Sequence, residues 1–403
     1  MKIREVVFNN FRSFRGEHRI SFVNPVTQLV NPVTVLAGAN GSGKTTLLSA
    51  IGEMLGYVLE PDKPGELIRE AMSSDSFIGM EIELSTQDLG ENGDSKVKDA
   101  QNPVTSLEFQ TTETLYIAVG SRNLAPEAFE SHQEHLVCDL RELVEQRGDA
   151  RRSPRAWKPR RKFASIGKRL QNAVARMHKG EYQLMGGFLF FPHDRRLAAV
   201  SGGPIEPPPE DRRWRFQFSS DDRWMGSLEQ FWVWQNYLDL EGGAPENTHL
   251  ARFVDSVRHI LGERRPIYIK QGRVWITPEY QLSESRNGAE RFAGMPYTIS
   301  GVRLDQLPSG EQQVLLLFGE LARRRRLGAV IAIDEVENSL HPTLQRLAMW
   351  NLHEIARNWQ AQVMVTTHSL EVIHTVRGSA FVNLDYPDNT FDLPLPDFQA
   401  ELA

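Results

Sequence analysis

Gly38-Ala39-Asn40-Gly41-Ser42-Gly43-Lys44-Thr45 fits the pattern G-x-x-x-x-G-K-[ST] at every fixed position. Before it, Val33–Ala37 is a short apolar run. After it, Leu47, Leu48, Ile51, Met54 and Leu55 fall at helical spacing over 45–55. The order is therefore strand, glycine-rich turn, helix. Glycines let the backbone curl so that several N–H groups point inward, and the helix adds its positive N-terminal end. Such a turn holds a nucleotide triphosphate. Its candidate contacts are Asn40, Gly41, Ser42, Gly43, Lys44, Thr45 and Thr46. Lys44 supplies a point charge for the β- and γ-phosphates, and the Thr45 hydroxyl is a candidate Mg2+ ligand.

The bulk properties bound the rest. The chain has 403 residues, 40% of them apolar, which points to two domains or one domain with a large insertion. A net charge of -6 requires any nucleic-acid contact to come from a local patch. The single cysteine, Cys138, excludes an intrachain disulfide and a cysteine-built metal site. No signal-peptide core opens the sequence and no apolar run is long enough for a membrane span, so the expectation is a cytoplasmic protein without a membrane partner.

A second motif lies far downstream. Val330-Ile331-Ala332-Ile333 is an apolar run ending in Asp334-Glu335. A strand buried on both faces places the two acids at its carboxyl end, where open α/β sheets bind ligands. Asp334 would then hold Mg2+ through water, and Glu335 would orient and deprotonate an attacking water. The bland alternative is a pair of acids opening a surface loop.

Together these motifs resemble the Walker A and Walker B elements of ATP-hydrolysing P-loop ATPases of the ABC type, within the SMC/RecF/OLD-like group. Leu307-Pro308-Ser309-Gly310-Glu311-Gln312-Gln313 resembles the ABC signature of that group, with Glu in place of the usual Gln. The resemblance implies that Ser309, Gly310 and Glu311 complete the γ-phosphate site of a second copy. On its own, the same stretch reads as an ordinary capping box. Glu335-Val336-Glu337-Asn338-Ser339-Leu340-His341-Pro342 resembles the D-loop, and Thr366-Thr367-His368-Ser369 the switch histidine, which implies a γ-phosphate contact for His368. Asn10-Phe11-Arg12-Ser13-Phe14-Arg15 resembles the opening run of RecF-like and OLD-like heads. It makes Arg12 a candidate phosphate or adenine contact, or else part of a basic surface turn. Phe190-Phe191-Pro192-His193-Asp194-Arg195 resembles an OLD-like strand end that returns the chain to the head. No Q-loop glutamine is assignable.

The implied fold is α/β: an ABC-type P-loop head of mixed and parallel sheet flanked by helices, with a mainly helical insertion. The expected division is 1–120 for the half with Walker A, 121–299 for the insertion, and 300–403 for the half with signature, Walker B, D-loop and switch histidine. Within the insertion, 127–149 reads as acidic and helical, while 151–179 carries no acid and is rich in Arg and Lys, with Trp157 and Phe163 interleaved. That basic arm fits nucleic acid, a solvated helix face, or a cradle for the acidic stretch before it.

The resemblance further implies ATP and Mg2+ as cofactors and a homodimer or higher oligomer closed by an ATP sandwich. Chains of this size and motif set look like the AAA-family ATPases paired with a nuclease or toxin effector, encoded nearby, in bacterial anti-phage systems such as Septu, retron-associated and PARIS-type systems. The alternatives are a RecF/SMC-like DNA-binding ATPase in repair or recombination, and a slow-turnover ATP-binding scaffold.

Overall fold

The computed structural model describes residues 1–90, 112–131, 135–144, 156–181, 185–197, 207, 211–219, 228–242, 267–276, 301–376 and 378–385. The chain opens with a hairpin of β1 (Lys2–Phe11) and β2 (Phe14–Ser21). β3 (Val33–Ala37), buried at all five positions, runs into the glycine turn and α1 (Lys44–Leu59), followed by α2 (Glu66–Ser73). β4 (Phe77–Ser85) and β5 (Thr112–Ser121) pair antiparallel, and α3 (Glu127–Ser131) leads to β6 (Leu136–Val144) and β7 (Ala156–Phe163). After α4 (Ser165–His178) come β8 (Phe188–Phe191), β9 (Arg215–Gln217) and α5 (Leu228–Gly242). β10 (Ile267–Lys270), β11 (Arg273–Ile276) and β12 (Val302–Arg303) make a small antiparallel sheet. The chain continues through α6 (Ser309–Arg323), β13 (Val330–Ile333), α7 (Pro342–Asn358), β14 (Gln362–Thr367) and β15 (Phe381–Asn383).

Two six-stranded sheets dominate. The first has the order β2-β1-β4-β5-β6-β7 and is antiparallel except where β5 and β6 run parallel. The second is parallel throughout, in the order β15-β3-β14-β13-β8-β9. Its inner strands are apolar because both faces are covered. One core cluster joins Leu47, Ile51 and Met54 of α1 to Ile3, Ile78 and Ile117 of the first sheet and to Phe188 and Val330 of the second, so α1 lies between the sheets. A second cluster covers the opposite face of the parallel sheet with α5, α6 and α7 through Trp232, Leu317 and Leu352. This α/β head, with its mixed and parallel sheets flanked by helices, agrees with the expectation from sequence.

The segment expected as an insertion does not stand apart. β6 and β7 extend the first sheet, α4 joins the core around α1, and β8 lies directly beside β13 in the parallel sheet. The helical reading of 127–149 is corrected for 136–144, which is a strand. Its register sets Asp139 opposite Arg161 and Glu142 opposite Lys158, and opposite charges at facing positions favour pairing. The acidic stretch and part of the basic arm are thus neighbouring strands. On α4, Arg169 pairs with Glu113 and Arg176 with Glu181, so these two cations are met within the chain. The part of the basic arm at 151–155 lies outside the described residues. Among the described residues no helix is long and apolar enough to cross a membrane.

Candidate nucleotide site

Parallel packing of β3 against β14, and of β14 against β13, brings three carboxyl-terminal strand ends together: 38–45, 366–369 and 334–335. In the glycine turn, Gly41 and Gly43 have φ of 85° and 97°, the left-handed region that glycine alone enters freely. Gly43 has no room for a side chain in any case: a Cβ there would lie 2.5 Å from Phe14 Cζ and 2.6 Å from Ser13 Oγ. The Asn10–Arg15 turn therefore packs on the phosphate loop. α1 starts from Gly43 with no side-chain cap, so its first N–H groups are available to an anion.

Lys44 is buried, and its Nζ donates to the carbonyls of Gly38 (2.8 Å) and Ala39 (3.0 Å). Burial lowers its pKa, while Asp385, Asp334, Glu335 and Glu337 pull the other way. The Thr45 hydroxyl donates to Asp334 Oδ2 at 2.7 Å. Asp334 is 1% exposed, and its Oδ1 accepts from the Thr366 hydroxyl at 2.5 Å. Thr366 in turn accepts the N–H of Glu335 at 2.8 Å. Glu335 has φ 48°, a conformation that costs a residue with a Cβ about 1–2 kcal/mol.

The hydroxyl and carboxylate oxygens of Thr45 and Asp334 are hard donors that suit Mg2+. Among the described residues no cluster of three or more His, Cys, Asp or Glu side chains is arranged to hold a metal. An ion here would draw its remaining ligands from phosphate and water, as Mg2+ commonly does.

The other expected residues are placed as follows. Ser309, Gly310 and Glu311 form the first turn of α6, with Ser309 exposed. A Cβ on Gly310 would lie 2.7 Å from Ser339 O, so this turn packs on the D-loop and not on the chain's own phosphate loop. His341 caps α7, accepting the N–H of Thr343, and Pro342 fills the first helical position. His368 is exposed at the end of β14, its N–H donating to Glu337 Oε1 at 2.5 Å. Arg12 lies on α2, its Nε and Nη2 both donating to Glu70 Oε2 at 2.9 and 2.6 Å. That bond holds its pKa above the usual arginine value. Asn40 and Gly41 are exposed at the loop tip, and Ser42 and Thr46 are half-buried.

Three residues at the site were missed in the sequence. His193, given no role there beyond its place in the Phe190–Arg195 run, has Nδ1 3.4 Å from Asp334 Oδ2. Arg195 is 1% exposed and bonds the main chain at 334 and 335. The Phe190–Arg195 run carried the signal for both, through its likeness to a strand end. Asp385 accepts the N–H of Ala39 on both carboxylate oxygens at 2.9 Å. It follows β15 by two residues, and no motif marks it.

Comparisons with known proteins agree with this layout. A family model described as "AAA domain" matches residues 5–147. A second, described as "AAA domain, putative AbiEii toxin, Type IV TA system", matches 295–374. The retron Ec83 probable ATPase of Escherichia coli is 34% identical over 82 residues, which is 18% of this chain and 15% of that protein. Among solved structures, an SMC head bound to the C-winged helix domain of ScpA overlaps with a TM-score of 0.43 and 12% identity, covering 95% of this chain and 94% of that one. The SMC head domain from Thermotoga maritima does so with a TM-score of 0.38 and 12% identity over the same shares. These overlaps are long but loose. With a phosphate loop and facing acids joined across one parallel sheet, and AAA-domain matches over both motif-bearing segments, the chain carries the layout of an AAA-domain P-loop protein.

Proposed function

We propose that two copies of this chain close on ATP and Mg2+, hydrolyse the nucleotide, and use that cycle to control a partner effector. The contact of Thr45 with Asp334, next to Glu335, carries the hydrolytic part of the reading. Lys44 would leave its two carbonyl partners for the β- and γ-phosphates, and the N–H groups of 41–46 would point at the same oxygens. Thr45 would ligate Mg2+ directly and Asp334 would hold it through water. The bound ion would neutralise charge on the transferring phosphoryl group. Glu335 would take a proton from the attacking water, and His368 would donate to a γ-phosphate oxygen. The exposure of Ser309 at the start of α6, on a turn packed against its own D-loop and away from its own phosphate loop, supports Ser309, Gly310 and Glu311 acting on a second copy.

Turnover and particle mass test this directly. Lys44→Ala should weaken nucleotide binding at least about 10-fold, the cost of a lost charged hydrogen bond. Glu335→Gln should bind ATP, stop turning over and accumulate as a dimer. A wild type that forms the same oligomer with or without ATP and never hydrolyses it would leave only the scaffold reading.

Control of a nuclease or toxin in anti-phage defence is the biological role we favour. The toxin–antitoxin wording of the family that matches 295–374 and the short retron ATPase match support it. A RecF/SMC-like DNA-binding role is the second reading, and the basic arm at 151–179 favours it. DNA-stimulated turnover without a protein effector would decide for that role. The pairing of Arg169 with Glu113 and of Arg176 with Glu181 weighs against it.

A further inference from the structure

Arg195 is a guanidinium sealed in the protein and bonded to no side chain in its immediate grip. Nη1 donates to the carbonyls of Pro192 (2.9 Å) and Asp334 (2.7 Å), and Nη2 to the carbonyl of Glu335 (3.0 Å). Its Nε has no hydrogen-bond partner among the described residues. Burial lowers its pKa to about 10 against the pull of Asp334, Glu337, Glu335 and Asp194. A buried cation is costly unless something requires it, and here its bonds converge on the peptide that carries the hydrolytic acid.

That peptide is held at both ends. Thr366 takes the N–H of Glu335 and Arg195 takes its carbonyl. Between these two bonds the residue sits at φ 48°. The same carbonyl also accepts the N–H of Asn338 at 3.1 Å, within the loop itself, so Arg195 is the anchor that ties it to a separate part of the chain; losing that anchor eases relaxation to ordinary backbone, which would re-aim the carboxylate. The loop bearing Arg195 is tied further. Its own carbonyl accepts Gln313 Nε2 of α6 at 2.8 Å, and the carbonyl of His193 accepts Asn338 Nδ2 of the D-loop at 2.7 Å.

We propose that Arg195 is the positioning residue of the hydrolytic step: it holds Glu335 in its left-handed, water-facing conformation, and through Gln313 it ties that conformation to the signature helix. Engagement of Ser309 and Gly310 by the second copy's nucleotide then reaches Glu335 through two hydrogen bonds, Gln313 to Arg195 and Arg195 to Glu335. The proposal rests on Glu335 acting on the attacking water.

Single-turnover hydrolysis and ATP affinity are measured on the full chain for Arg195→Met, Arg195→Lys, Gln313→Ala and Glu335→Gln, alone and with Arg195→Met combined with Glu335→Gln. Arg195→Met should slow hydrolysis roughly 10- to 100-fold, as expected for a misplaced catalytic group. ATP affinity should stay within about threefold, because no phosphate contact is lost. Arg195→Lys should fall between wild type and Arg195→Met. Gln313→Ala should slow hydrolysis several-fold with affinity unchanged, and it decides the matter if Arg195→Met does not fold. On the Glu335→Gln background, Arg195→Met should cost little more, since both act through one group.

Wild-type hydrolysis in both Arg195→Met and Gln313→Ala overturns the proposal. So does a parallel loss of affinity and rate, or an Arg195→Met penalty that multiplies in full onto Glu335→Gln. Unimpaired hydrolysis by Glu335→Gln would instead remove the reading of Glu335 itself, and the proposal with it.

Discussion

Asp385 places a carboxylate beside a loop built to receive phosphate. Both its oxygens hold the Ala39 N–H, and its charge is the largest opposing pull on the buried ammonium of Lys44. The two effects have opposite signs for ATP. The hydrogen bond shapes the first turn of the loop, while the charge repels the incoming triphosphate. Asp385→Asn separates them, because the amide oxygen still accepts from Ala39 and the charge is gone. Asp385 is exposed, so the gain should be modest: tighter ATP binding by up to about fivefold at low ionic strength, an exposed pair being worth no more than about 1 kcal/mol. The gain should shrink as salt rises. Titration with a fluorescent ATP analogue at several ionic strengths checks this. Weaker binding at every salt concentration would show that the loop needs the carboxylate itself. At this scale the sequence is legible where one short run carries the whole device. Lys44 and Thr45 stand out by the spacing of one glycine-rich run, Asp334 and Glu335 by closing an apolar strand, and His368 only by its likeness to a family motif. Arg195 and Asp385 do not, because they act on main-chain groups far away in the chain, and any residue near a strand end would look the same.

At the scale of elements, β8 decides how the middle of the chain is read. Phe188–Phe191 is four buried apolar residues beside the strand of the acid pair, and such a run cannot be told by periodicity from a buried piece of helix. Its partner β13 lies more than a hundred residues later, so no local signal marks it as part of the head. β6 was hidden differently: its charges at 139, 141 and 142 break the apolar alternation of a strand, and it is recognisable only with β5 and β7 laid beside it. The strands and helices that carry the motifs were legible because β3 with α1, and β13 with α7, are complete units in sequence. Gly52 tests the placement of β8. In an exposed stretch of helix, Gly→Ala stabilises by about 1 kcal/mol. Here a Cβ at Gly52 would lie 2.7 Å from Cε1 of Phe188, a ring 1% exposed in the core. Gly52→Ala should therefore destabilise, by about 1–3 kcal/mol for an overpacked core site. A urea melt reads the sign. A gain in stability would put Phe188 elsewhere.

At the scale of the whole molecule, the two motif-bearing segments are interleaved. Gln362 at the start of β14 is fully buried and exchanges two hydrogen bonds with the main chain of Ile3, and Lys2 reaches the carbonyl of Gln360. The first sheet and the parallel sheet are thus fastened at the starts of the inner strands β1 and β14, and one chain supplies one complete phosphate loop with its acids. The signature turn is the part left over, with Ser309 exposed and Gly310 packed on its own D-loop. If it serves a second copy, the defects of Lys44→Ala and Ser309→Arg should complement. A dimer of either variant alone has no intact site. A mixed dimer joins the sound phosphate loop of the Ser309→Arg copy to the sound signature of the Lys44→Ala copy, and so has one. Mixing equal amounts of two inactive preparations should then recover up to roughly a quarter of the wild-type rate, since half of the dimers in a symmetric two-copy system are mixed and each has one working site of two. A signature that acts within its own chain allows no such recovery. A mixture as inactive as its components, formed from variants shown to exchange partners, would remove the sandwich from the mechanism while leaving the phosphate loop and its acids as they are.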